Sequence, residues 1–124
     1  TFLDMFIMLM RLSYKRDIKS LKKWGEAVSG YGREKQKRML TYFLRLVREN
    51  FMYNFRNPEL VYMTRDEEDF ARNFARFINE ANVMELSELF GNAIRDIGQN
   101  ANSKIVFFDM ALNTIVLLVQ GSRQ

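Results

Sequence analysis

The chain has no histidine and no cysteine among its 124 residues, and these two absences remove a large share of protein chemistry at once. Without imidazole or thiolate there is no zinc site of the usual kind, no cysteine nucleophile and no histidine general base. No disulfide can form, which suits a reducing, cytoplasmic setting. Proline occurs once, at Pro58, so few backbone positions forbid a helix. Alternation of apolar and polar residues with period two is scarce, which disfavours strands. No GxxxxGK[ST] phosphate loop or GxGxxG fingerprint occurs, and Gly30-Tyr31-Gly32 fits neither. The expectation is a chain that is not itself an enzyme, with no metal, no cofactor and no small-molecule substrate.

What is present is apolar and helix-forming. Hydrophobic residues make up 48% and aromatics 14% of the sequence, enough for one buried core in a single domain over 1–124. Leu, Met, Ala, Glu, Lys and Arg recur at helical spacing, so the fold class expected is all-α, a compact bundle of five to six helices. The chain starts at Thr1 directly in the apolar segment TFLDMFIMLM, which suggests an excised domain or a processed chain; Asp4 argues against a secretory signal.

Periodicity places the elements. A helix over roughly 2–14 is apolar nearly all round. A basic amphipathic helix over about 15–28 sets Ile18, Leu21, Trp24 and Val28 against Lys15, Arg16, Lys19, Lys22 and Lys23. Ser29-Gly30-Tyr31-Gly32 breaks the pattern. A long helix follows from Arg33 to about Phe55, closed by Asn57-Pro58. Thr64 and Glu67 form a capping box for a helix with Phe70, Ala71, Phe74, Phe77 and Ile78 on its apolar side. Asn79 to Asn82 makes a turn, another helix runs from Val83 to about Gln99, and Asn102 or Ser103 caps the last one.

Carboxylates are the remaining candidates for chemistry. Asp66, Glu67, Glu68 and Asp69 are consecutive and so point around a helix, and their place in its first turn explains them as partners of the cap and dipole. Glu85 and Glu88 form a helical pair without a third ligand, which fits a solvated face. Charge is uneven: residues 11–48 carry 12 Lys/Arg against Asp17, Glu26 and Glu34, whereas 49–124 carry 7 against 11 acids. Within GYGREKQKR, Arg33, Lys35, Lys37 and Arg38 crowd the first turns of a helix, where positive charge opposes the dipole by up to ~1 kcal/mol each. They are a candidate basic contact for an acidic partner; the alternative is a nucleic-acid-binding module built on 11–48.

The last apolar stretch, NANSKIVFFDMALNTIVLL, raises the question of a membrane span. Residues 105–119 make about four turns against the roughly 20 residues a bilayer requires, and Asp109 and Asn113 interrupt them, so a soluble helix is expected. Phe107, Phe108, Ala111, Leu112, Ile115, Leu118 and Val119 cover most of its circumference, more than one bundle face needs. They are the candidate subunit interface.

Three segments in order, YGREKQKRMLTYFLRLVRENF (31–51), FARNFARFIN (70–79) and IGQNANSKIVFFDMALNTIVLLV (97–119), carry a family likeness. The chain resembles the C-terminal collar domains of bacterial DNA polymerase III clamp-loader subunits, of the delta-prime type. Gly32-Arg33-Glu34-Lys35-Gln36-Lys37 matches the start of the long collar helix, Arg48-Glu49 lies further along it, and Asn100-Ala101-Asn102 matches the turn before the last helix. The resemblance implies a non-catalytic, cytoplasmic scaffold in DNA replication. It implies assembly in a ring with the gamma/tau and delta subunits, and contact with DNA only indirectly or weakly.

Overall fold

A computed structural model describes residues 1–123. They form six α-helices: α1 (Phe2–Lys15), α2 (Ile18–Ser29), α3 (Arg33–Tyr53), α4 (Arg65–Phe74), α5 (Val83–Gly98) and α6 (Ser103–Ser122). Short 3₁₀ turns at Pro58–Leu60 and Ala75–Phe77 flank α4, and no strand occurs among the described residues. The all-α bundle expected from composition and periodicity is the one observed.

Four of the six helices start where a side chain satisfies their free N–H groups. Thr1 and Asp4 make a capping box on α1, the Asp17 carboxylate accepts from the Ser20 N–H (3.1 Å) on α2, and Thr64 with Glu67 caps α4 as expected. Asn102 rather than Ser103 caps α6, accepting from the Ile105 N–H at 3.2 Å. Arg16, in the left-handed region at φ 58°, ends α1. The chain therefore turns between α1 and α2, and α2 begins three residues later than periodicity alone suggests. Likewise α3 stops at Tyr53, because Phe55 and Arg56 already belong to the turn that leads to Pro58.

The apolar periodicities converge on one aromatic centre. Phe43 of α3 lies 5.3 Å from Phe6, 5.8 Å from Phe90 and 6.4 Å from Trp24, ring centre to ring centre, and Trp24 meets Phe107 of α6 edge-on at 6.1 Å. Four of these, Phe6, Phe43, Phe90 and Phe107, have no exposed surface, each worth about 1.5–3 kcal/mol of burial. Trp24 keeps its polar edge satisfied by donating from Nε1 to the Met5 carbonyl (3.1 Å). Helix α3 packs mainly on α5, while α6 packs on α2, α5 and α1. The last helix is thus the element that three others share.

Candidate protein-docking face

Helix α6 extends over 20 residues, five more than the 105–119 stretch read from the apolar run. By length and composition it is able to cross a membrane, so the expectation that its length excludes a span is corrected. Gln120, Gly121 and Ser122 extend it because Gly121 passes against the Ala75–Phe77 turn, where the absence of a Cβ permits close approach.

The seven candidate interface residues on α6 divide into two groups. Phe107, Ala111 and Leu118 are buried inside the domain together with Met110, Thr114, Leu117 and Gly121, so they are unavailable to a partner. Phe108, Leu112, Ile115 and Val119 are half-buried and follow one another at helical spacing along the opposite side. Ile105, 68% exposed, and Val116, 54% exposed, extend that row and were not among the expected residues. A helix apolar all round gives no periodic signal separating inside from outside.

Two shallow hollows lie along the row. Between α2 and α6, Ile105, Phe108 and Leu112 floor a hollow of about 340 Å³ rimmed by Lys22, Lys104, Glu26 and Asp109. Between α1 and α6, Ile115 and Val119 with Tyr14 and Arg16 edge a smaller one of about 210 Å³, with buried Ser13 and Leu118 beneath. An apolar strip with a rim of mixed charge has the anatomy of a protein-binding surface. Asn113 on the same side donates to the Asp109 carbonyl (2.9 Å) and carboxylate (3.3 Å).

Of the expected basic contact, one member turns inward. Arg33 donates from Nη1 to the Ile97 and Ala101 carbonyls (3.2 and 3.0 Å), closing the C-terminal end of α5. Its charge, unfavourable at the start of α3, is favourable there. Lys37 pairs with Glu34 at 3.0 Å, while Lys35, 4.1 Å from the Tyr31 ring centre, and Arg38 are both exposed with no ion-pair partner among the described residues. On α2, Lys19, Lys22 and Lys23 are likewise exposed and free of ion pairs among the described residues.

The acidic run at 66–69 also resolves. Glu67 is buried and accepts from the Tyr42 hydroxyl (2.6 Å), from Arg45 and from the Thr64 N–H (3.0 Å), while Arg45 also donates to the Tyr62 carbonyl at 2.9 Å. Burial alone would raise the Glu67 pKa. The hydrogen bonds from Tyr42 and Thr64 and the Arg45 charge outweigh it and hold the carboxyl below its ordinary value. Burial, reinforced by that carboxylate, pushes the Tyr42 hydroxyl up. Buried Glu49 accepts from the Tyr62 N–H and from Arg48, so it holds the same loop. No group of three or more carboxylates able to hold a metal occurs among the described residues.

Buried amides supply the other polar locks. Asn82 donates to the Phe77 and Leu117 carbonyls, both at 2.8 Å, and accepts from the Asn79 N–H at 3.0 Å; Asn79 donates to the Gly121 carbonyl at 2.8 Å. Gln36 donates to the Val28 and Ser29 carbonyls (3.0 and 3.1 Å) and accepts from Ser103 at 3.2 Å, joining α2, α3 and α6. These pairings satisfy main-chain groups that would otherwise be buried without partners. Comparison of the chain with protein-family models, curated proteins and solved structures finds no match.

Proposed function

We propose that this chain is a non-catalytic assembly domain of the clamp-loader collar type. It would join gamma/tau and delta subunits in a ring during DNA replication, through the outer side of α6. The observation that carries the reading is the row Ile105, Phe108, Leu112, Ile115, Val116 and Val119, left partly or wholly exposed on a helix whose other side is core. The order of the three sequence segments that resemble collar domains supplies the partner. A protein suits this face better than lipid, because Lys104, Asp109 and Asn113 share it and charge within a bilayer is costly.

The test is co-purification of the chain with gamma/tau and delta subunits. Intact chain is expected to enter the complex, and a variant carrying Ile105→Glu and Val116→Glu is expected to be excluded while melting at the unaltered temperature. Failure of the intact chain to assemble would end the collar reading. A second reading, a nucleic-acid-binding module, draws on exposed Lys19, Lys22 and Lys23 on α2. It requires DNA binding that weakens steeply with salt and falls when these lysines become glutamine.

A further inference from the structure

A cleft of about 530 Å³ opens between the C-terminal end of α3 and the outer side of α4, and it shares no residue with the α6 row. Its floor includes the buried Ala71 and Ala75. Tyr53 and Val61 also line it, and Asn54 fixes one wall by donating to the Ala75 and Ile78 carbonyls at 2.9 and 2.8 Å. Three arginines, Arg56, Arg72 and Arg76, line the cleft against one carboxylate, Glu68, which has no ion-pair partner among the described residues. Of the three, only Arg72 is paired among the described residues, to exposed Asp69 at 3.4 Å; Arg76 lies 5.1 Å from the Phe77 ring centre.

Arg56 adds a backbone observation. It sits in the left-handed region at φ 56°, a position glycine would fill with less strain. An arginine is held there, in the lining of the cleft, with no acidic partner among the described residues. Guanidinium groups remain charged at every working pH and present planar forks of donors. One carboxylate occupies one fork, whereas a phosphate dianion has oxygens enough for several, so three arginines around an apolar floor match a phosphate on an organic body. The volume is that of a small-molecule site rather than an extended polymer groove.

We propose that the α3/α4 cleft binds a small phosphate-bearing molecule, Arg56, Arg72 and Arg76 holding the phosphate and the Tyr53 and Val61 surface holding its body. The test is calorimetric titration of the chain with ADP, pyrophosphate, adenosine and citrate, with backbone amide shifts recorded to locate any site. ADP and pyrophosphate are expected to saturate and to shift Tyr53, Ala71 and Ala75, while adenosine and citrate bind at least about tenfold more weakly. Arg56→Gln and Arg72→Gln are each expected to weaken pyrophosphate about tenfold, whereas Glu68→Gln strengthens it, a gain that damage to the fold would not produce. No saturable binding of either phosphate probe would overturn the proposal. So would citrate binding as tightly as pyrophosphate, unchanged affinity in the Arg56→Gln, Arg72→Gln, Arg76→Gln triple variant, or amide shifts confined to the lysines of α2.

Discussion

Replacing Gly121 by alanine should destabilise the domain, although the same change in most helices does the reverse. A Cβ at residue 121 would overlap the Phe77 carbonyl oxygen and Asn82 Nδ2 and lie 3.2 Å from the Phe77 carbonyl carbon. Main chain cannot rotate away as a long side chain does, so the end of α6 must withdraw from the 75–82 segment. Withdrawal breaks the bonds that cross to α6, from Asn79 to the Gly121 carbonyl and from Asn82 to the Leu117 carbonyl. With Asn82 only 1% exposed, losing two such bonds costs roughly 1–3 kcal/mol apiece, and alanine returns about 1 kcal/mol of helix propensity. The net is about 3 kcal/mol of lost stability, a fall in Tm on the order of 10 °C. Urea unfolding followed by helical circular dichroism measures it. Gly91→Ala in mid-α5, where nothing lies within 4 Å of the new methyl, is the control and should gain about 0.5–1 kcal/mol. If Gly121→Ala proves as stable as Gly91→Ala, the close approach does not constrain α6 and the reasoning fails.

Further outcomes follow from the polar locks. Glu67→Gln should cost about 1.5–3 kcal/mol at neutral pH by weakening the bonds from Tyr42, Arg45 and Thr64. Because the folded-state pKa of Glu67 is depressed, its contribution is present above the ordinary value near 4.3 and drains away as pH falls through the folded value. Denaturation midpoints of the two proteins should therefore converge in acid, and a gap that persists below pH ~2 would count against the ionic network. Arg33→Met exposes the Ile97 and Ala101 carbonyls but removes a cation from the start of α3. The two effects leave a loss of about 1 kcal/mol, measurable in urea. Asn54→Ala should cost about 1–3 kcal/mol and quicken amide exchange around Ala75 to Ile78, whose carbonyls it caps.

How much of this could be read in the residues depended on whether the signal was local. The Thr64–Glu67 box, the Asn102 cap and the core positions of α3 are written within a few residues of where they act. The start of α2 was also legible, since Asp17 stands three residues before Ser20, but the apolar pattern running on from α1 hid it. Tertiary partners left no such trace. Asn82 belongs to a polar turn by sequence, yet it is buried because Leu117 and Phe77 bring their carbonyls to it from elsewhere. Arg33, grouped by sequence with Lys35 and Arg38 as a surface cation, is claimed by the end of α5, some 64 positions along the chain. The division of α6 into Phe107, Ala111 and Leu118 inside, and Phe108, Leu112, Ile115 and Val119 outside, needed the positions of α1, α2 and α5.

Helix α6 fills the space shared by α1, α2 and α5 yet follows them all in chain order. On a ribosome, the partners of Phe107 and Met110 emerge with a vacant slot between them, and only arrival of residues 103–122 closes it. Until then the nascent segment carries an open apolar cleft, the condition in which chains attract chaperones or one another. Completion of the domain is set by the last helix to be made, and a stop anywhere before it should release an aggregation-prone fragment rather than a smaller version of the fold.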